Sequence, residues 1–191
     1  MSAAKTVLVV GANRGIGLQL IRTFEARGWN TIGSIQPETL AASDASIADL
    51  RRRPSTCGII EVDHKDEDNI KKAAQNLLQQ DIKLDVLVNS GGLYEVQPQK
   101  WDAHQADDLM ERFQVMVVLQ GPFLVTKHFL PLLTKDGTGR ITYITSDSGS
   151  ISFPNHTGNF IGYRMAESAA NQQVKTLAID FKRDGGDLGR R

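Results

Sequence analysis

The segment Thr6 to Arg27, TVLVVGANRGIGLQLIRTFEAR, leaves this chain few folds to choose from. Val7 to Val10 is a short apolar run rich in β-branched residues, too compact for a helix. Beyond the glycines, Ile16, Leu20, Ile21 and Phe24 recur at helical spacing. A buried strand, a glycine-rich turn and an amphipathic helix are therefore expected in succession. Gly11 permits a tight exit from the strand, Gly15 a close backbone approach to a ligand, and Gly17 the packing of helix on sheet. The amides that open such a helix lack intrahelical acceptors and form an anion site suited to a pyrophosphate. Any βα turn can hold glycines. The legible strand and helix on either side turn this one into an expectation of nucleotide binding.

The alternation continues along the chain. Further strands are expected at Asn30 to Ile35, Gly58 to Val62, Leu84 to Val88 and Gly139 to Thr145. Helices are expected at about Ser46 to Arg53, Asp66 to Gln80, Ala106 to Phe129 (stopped by Pro131) and Gly162 to Phe181. Strands that alternate with helices connect by right-handed crossovers into a parallel sheet covered on both faces. The expected fold is a three-layer, Rossmann-type doubly wound α/β sheet in the order 3-2-1-4-5. It is expected to form a single nucleotide-binding domain over 1–181, with a polar tail over 182–191. Ligands of such sheets bind outside the carboxyl ends of the strands, at the switch point between the first and fourth. That topology singles out Gly11 to Gly17, Ile35, Asp63, Asn89 to Gly91, Thr145 and Ser146.

With 191 residues and a formal net charge of zero, the chain has the size of one domain and no electrostatic footprint for nucleic acid. The single cysteine, Cys57, excludes an internal disulfide and suits a reducing compartment, so a cytoplasmic location is expected. No apolar run is long enough for a membrane span, and no signal peptide is visible. His64, His104, His128 and His156 share no metal-ligand spacing, and no metal is expected.

Five stretches together, GANRGIG, VDH, VNSGG, ITYITSDSGSIS and YRMAESAANQ, resemble the classical short-chain dehydrogenase/reductase family over nearly the whole chain. The resemblance implies hydride transfer between a nicotinamide cofactor and a carbonyl or alcohol carbon of a small-molecule substrate. It implies that Tyr163 gives or takes the proton and that Ser146 holds the substrate oxygen. Ser148 and Ser150 compete for that second role, Ser150 by its thirteen-residue spacing to Tyr163. Ser146 is preferred because strand 5 delivers it directly. For the cofactor, the resemblance implies contacts from Gly11, Asn13, Arg14, Gly15, Ile16 and Gly17, from Asp63 at the adenine, and from Asn89, Ser90 and Gly91 near its ribose. Asp63 also reads as a turn acid, and Asn-Ser-Gly as ordinary turn chemistry. An NAD site usually ends strand 2 with an acid on the ribose 2′-hydroxyl. Here Gly33-Ser34-Ile35-Gln36 contains none, while Arg14 places a cation in the glycine turn, which favours NADP(H).

Three departures stand against that pattern. One helical turn after Tyr163 the family carries a lysine that lowers the phenol pKa; this chain has Glu167. A cation about 6 Å from a phenol, at an effective dielectric of about 20, stabilises the phenolate by roughly 2–3 kcal/mol, and an anion there reverses the sign. The family's Phe-x-Val-Asn run reads Phe113-Gln114-Val115-Met116, and Met116 cannot hold the water of a proton relay. The family's further C-terminal strands and substrate lid have no counterpart after Phe181. Strand 5 is then expected to be a sheet edge, which a partner chain in a homo-oligomer could cover.

Overall fold

A computed structural model of the chain describes residues 4–41, 45–52, 57–91, 106–113, 122–133, 138–152 and 160–183. Five parallel strands, β1 (Thr6–Val10), β2 (Asn30–Ile35), β3 (Cys57–Glu61), β4 (Val86–Asn89) and β5 (Arg140–Tyr143), form one sheet in the order β3-β2-β1-β4-β5. The central strand explains the arrangement. Val7 to Val10 are all fully buried, as a strand covered on both faces must be. Val7 and Val9 face one layer with Ile21 of α1 (Gly15–Ala26) and Ile47 and Leu50 of α3 (Ala45–Arg51). Leu8 and Val10 face the other, with Ile70, Ala74 and Leu77 of α4 (Glu67–Gln79) and Leu124, Val125 and Phe129 of α6 (Pro122–Phe129). The doubly wound sheet expected from the alternation is the fold observed.

Local differences have local causes. The chain enters an unforeseen helix, α2 (Pro37–Ala41), at a proline. At the first helical position proline forfeits no intrahelical hydrogen bond. β4 starts at Val86; Leu84 instead makes an isolated parallel bridge to Leu133, its amide donating to the Leu132 carbonyl at 2.8 Å. The expected Ala106-to-Phe129 helix corresponds to α5 (Ala106–Phe113) and α6, with 114–121 outside the described residues. Pro131 is accommodated in a 3₁₀ turn, Leu130–Leu132, that closes α6. The last helix, α7 (Ile161–Arg183), takes in Lys182 and Arg183, which the polar composition had assigned to the tail; 184–191 lie outside the described residues. Among the described residues no helix is long and apolar enough to cross a membrane.

Within the sheet, β5 pairs with β4 alone. Ile141 packs against the α4/α6 layer, and the alternate Thr142 is exposed. The largest fully buried side chain of that layer among the described residues is Phe129, at the end of α6. Replacing it by alanine removes the anchor between α6 and the β1–β4 core. Phe129→Ala is expected to lower unfolding free energy by about 3–5 kcal/mol, read as a fall in the urea midpoint with the slope unchanged.

Candidate active site

The carboxyl ends of β1, β3, β4 and β5 bring the chemistry-bearing residues to one rim of the sheet. At β1 the chain exits through Gly11, whose amide donates to Ser34 Oγ at 3.2 Å, while the Ala12 amide bonds the Ser34 carbonyl at 3.0 Å. The end of β2 is thus tied to the glycine turn. Ile35 there is buried, so no carboxylate stands at the end of β2. Arg14 occupies the N-cap of α1 in extended conformation and is exposed. The Arg14 side chain makes no capping bond to α1, and the first amides of a helix are the donors that bind anions. Gly15 has φ +55°, and a Cβ placed on it would meet nothing within 4 Å; backbone is bare on that side. Gly17 is the reverse case. A Cβ there would lie 2.1 Å from the Gly11 carbonyl oxygen and 2.8 Å from Ser90 Oγ. Asn13 is half-buried and Ile16 is 59 % exposed. A turn bare at Gly15 and crowded at Gly17 fits a pyrophosphate laid across the start of α1.

Ser90 supports this turn from the other side. Its hydroxyl donates to the Val10 carbonyl at 2.6 Å, and its amide bonds the same oxygen at 3.2 Å. Asn89 is buried in register with Val10, and its carbonyl accepts from the Ile144 amide at 2.9 Å. The Asn89 side-chain amide approaches the Tyr143 hydroxyl, yet neither of its polar atoms closes a hydrogen bond of ordinary geometry. Tyr143 is hydrogen-bonded to Thr126, and burial pushes its phenol up to about 12. Asp63 is half-buried. Its Oδ1 accepts from the Lys65 amide at 2.8 Å, and its own amide donates to Asn69 Oδ1 at 2.7 Å. The turn-acid reading therefore describes one of its carboxylate oxygens.

Sequence reasoning passed over His64. It is 4 % exposed, its Nδ1 has no hydrogen-bond partner among the described residues, and Nε2 would lie 3.8 Å from a Cβ on Gly91. Burial holds it neutral with a pKa of about 4, against the opposing pull of the Asp63 charge. The available signal was a titratable residue directly after a strand-end acid, at a position where the chain turns inward.

The other half of the site joins β5 to α7. Ser146 caps the 3₁₀ turn Asp147–Gly149, its hydroxyl accepting from the Ser148 amide at 3.1 Å and donating to Asp147 Oδ1 at 3.2 Å. The Ser146 amide donates to Glu167 Oε2 at 3.1 Å. Tyr163, one turn earlier on α7, brings its hydroxyl to bear on the same carboxyl and packs on Ala166 beside Phe113. Glu167 is thus the shared neighbour of Ser146 and Tyr163, and it is only 7 % exposed. Burial raises its pKa, partly offset by the Ser146 amide and the Tyr163 hydroxyl. Ser148 and Ser150 instead line a cavity of about 540 Å³ with Ile161, Arg164, Met165 and Ser168. Those helical positions lie on the side of α7 opposite Tyr163 and Glu167. Met116 and the suggested wall residues Tyr94, Trp101 and Phe153 lie outside the described residues.

With this geometry established, known proteins give a consistent match. The model of one family, short chain dehydrogenase, matches residues 5–185. An uncharacterized oxidoreductase of Schizosaccharomyces pombe is 27 % identical over 184 residues, covering 93 % of this chain and 68 % of that protein. Oxidoreductase UcpA of Escherichia coli is 28 % identical over 183 residues, covering 95 % of this chain and 65 % of its own length. The chain spans about two thirds of the length of these relatives. Among solved structures, a short-chain dehydrogenase from Streptomyces avermitilis aligns with a TM-score of 0.79 at 26 % identity, covering 96 % of this chain and 62 % of that one. The carbonyl reductase Sniffer of D. melanogaster aligns at 0.80 and 25 %, covering 95 % and 77 %.

The buried imidazole predicts how this rim responds to acid. A histidine whose folded pKa lies below its unfolded value near 6.5 contributes stability above that value, lost as pH falls through the folded value near 4. Native protein is expected to lose up to about 3 kcal/mol relative to His64→Phe between pH 7 and 4. Paired urea titrations across that window measure the difference, which should become independent of pH above 7.

Proposed function

The chain belongs to the short-chain dehydrogenase family, and we propose that it is an NADP-dependent oxidoreductase interconverting the carbonyl and alcohol forms of a small molecule. The observation that carries this reading is the convergence of Ser146 and Tyr163 on Glu167 where β5 meets α7. When bound, the nicotinamide supplies or accepts the hydride. Orphan amides at the start of α1, beside the bare backbone of Gly15, suit its pyrophosphate. The phosphate preference rests on Arg14, exposed at the turn, and on a β2 end whose only hydroxyl, that of Ser34, already accepts from Gly11. The 3₁₀ turn holds Ser146 Oγ at the strand end, where it can orient a substrate oxygen. Tyr163 then donates a proton to that oxygen in reduction, or accepts one in oxidation. The oxidoreductase names of the S. pombe and E. coli relatives support the reaction class. Sniffer's being a carbonyl reductase supports the carbonyl substrate.

Glu167 favours a second reading, a catalytically impaired NADP-binding member with a binding or regulatory role. A carboxylate beside Tyr163 disfavours the phenolate that forms as the proton leaves.

Titration of NADPH fluorescence against native protein and Arg14→Ala separates cofactor from chemistry. The variant is expected to bind NADPH about 10-fold more weakly, the worth of one charge-assisted contact, with NADH binding unchanged. Across a panel of carbonyl substrates, Tyr163→Phe is expected to cut turnover by at least about 100-fold. Native turnover no higher than that of Tyr163→Phe, with NADPH binding retained, selects the second reading.

A further inference from the structure

We propose that Glu167 is the proton partner of Tyr163, a positioning residue whose buried carboxyl holds a proton for the tyrosine hydroxyl while anchoring the Ser146 amide. The inference rests on the oxidoreductase reading of the same site. Its basis is the way the carboxyl is held. Glu167 Oε2 accepts from the Ser146 amide at 3.1 Å, and the Tyr163 hydroxyl acts on the same group from one turn back along α7. The 3₁₀ turn closes over it. A Cβ on Gly149 would stand 2.8 Å from the Glu167 backbone carbon, from its Cβ and from Asn171 Nδ2, and Ser168 Oγ donates to the Gly149 carbonyl at 3.0 Å. Glu167 has 7 % of its surface exposed, so it meets solvent poorly and its neighbours directly.

Among the described residues the polar groups acting on this carboxyl are the Ser146 amide and the Tyr163 hydroxyl, and neither is a cation. On the 3₁₀ turn the nearest charge is the exposed Asp147, bonded to Ser146 Oγ. From α5 the packing residue is Phe113. Lys127 and His128 of α6 are both engaged by Glu67 of α4, each at 2.8 Å. A carboxyl so placed takes up a proton more readily than an exposed one, and burial is the cause.

Two arrangements follow. With Glu167 ionised, the Tyr163 O–H points to the carboxylate and is withheld from a substrate oxygen. With Glu167 protonated, its own O–H can donate to the phenol oxygen, and the Tyr163 proton is released to the substrate. In carbonyl reduction a bound reduced nicotinamide, held at the start of α1, would supply the hydride for the new C–H bond and be oxidised in doing so. The Tyr163 O–H breaks to form the alcohol O–H. The Glu167 O–H breaks to restore the tyrosine, and the carboxylate left behind takes a proton from water. The site then reduces best on the acid side, where Glu167 is protonated.

Infrared difference spectroscopy reads the carboxyl without any cofactor. Native minus Glu167→Gln protein is expected to carry the C=O band of a protonated carboxylic acid, which disappears with rising pH later than an exposed glutamate would. Tyr163→Phe is expected to shift that band and its titration. NADPH-dependent carbonyl reduction is expected to fall with pH in step with the band. Glu167→Gln, which keeps an oxygen for the Ser146 amide, should lose that limb and at least about 10-fold in rate. A Glu167 band that titrates like an exposed carboxylate, or ignores Tyr163→Phe, overturns the proposal even if the enzyme turns over. A band that responds to Tyr163→Phe in a protein without turnover upholds the proton pairing and removes the redox reading alone.

Discussion

Everything at the rim depends on how closely Gly17 lies against the carbonyl of Gly11. A methyl group at position 17 would sit 2.1 Å from that oxygen, with Ser90 Oγ closing the other side at 2.8 Å. The contact sets the start of α1 directly over the exit of β1. The Ser90 hydroxyl, bonded to the Val10 carbonyl, fastens the end of β4 to the same point. The gap between β1 and β4 is where the strand order reverses, and so where a doubly wound sheet opens a crevice. Residues far apart in sequence, such as Gly11, His64 and Gly91, become neighbours at one crevice because a hydrogen atom on Gly17 takes less room than a methyl.

The second half of the site is held by a carboxyl group. Glu167 ties the end of β5 to α7 through the Ser146 amide, and the Gly149 approach and the Ser168 hydroxyl tighten the same joint. A buried carboxyl costs free energy unless its oxygens find donors or it takes a proton. Here an amide and a phenol serve as donors, and the raised pKa eases the remainder. Where the family resemblance implies a lysine one turn after Tyr163, this chain places a buried carboxyl.

Much of this architecture was legible in the order of residues. Val7 to Val10 followed by spaced glycines predicted β1, its turn and α1, because a strand buried on both faces needs continuous apolar residues. The strand order followed from alternation and crossover handedness. Less legible was where local and long-range hydrogen bonds compete. Asp63 could be read as ligand or turn acid until the Lys65 and Asn69 bonds showed one oxygen in the turn. The tail boundary was misplaced because Lys182 and Arg183 are as compatible with a helix end as with a polar tail.

The sequence alone determined the fold class, the glycine turn and the presence of Glu167 in place of a lysine, since each is a matter of residue type at fixed spacing along one element. It could not determine what Glu167 touches. A carboxylate on a helix can point to water at little cost, and only the docking of the Asp147–Gly149 turn on α7 closes that escape and turns the side chain toward Ser146 and Tyr163. His64 was likewise an ordinary loop residue until packing beneath Gly91 removed it from water. Burial depends on contacts between distant segments, and it is burial that decides the protonation, and hence the chemistry, of both groups.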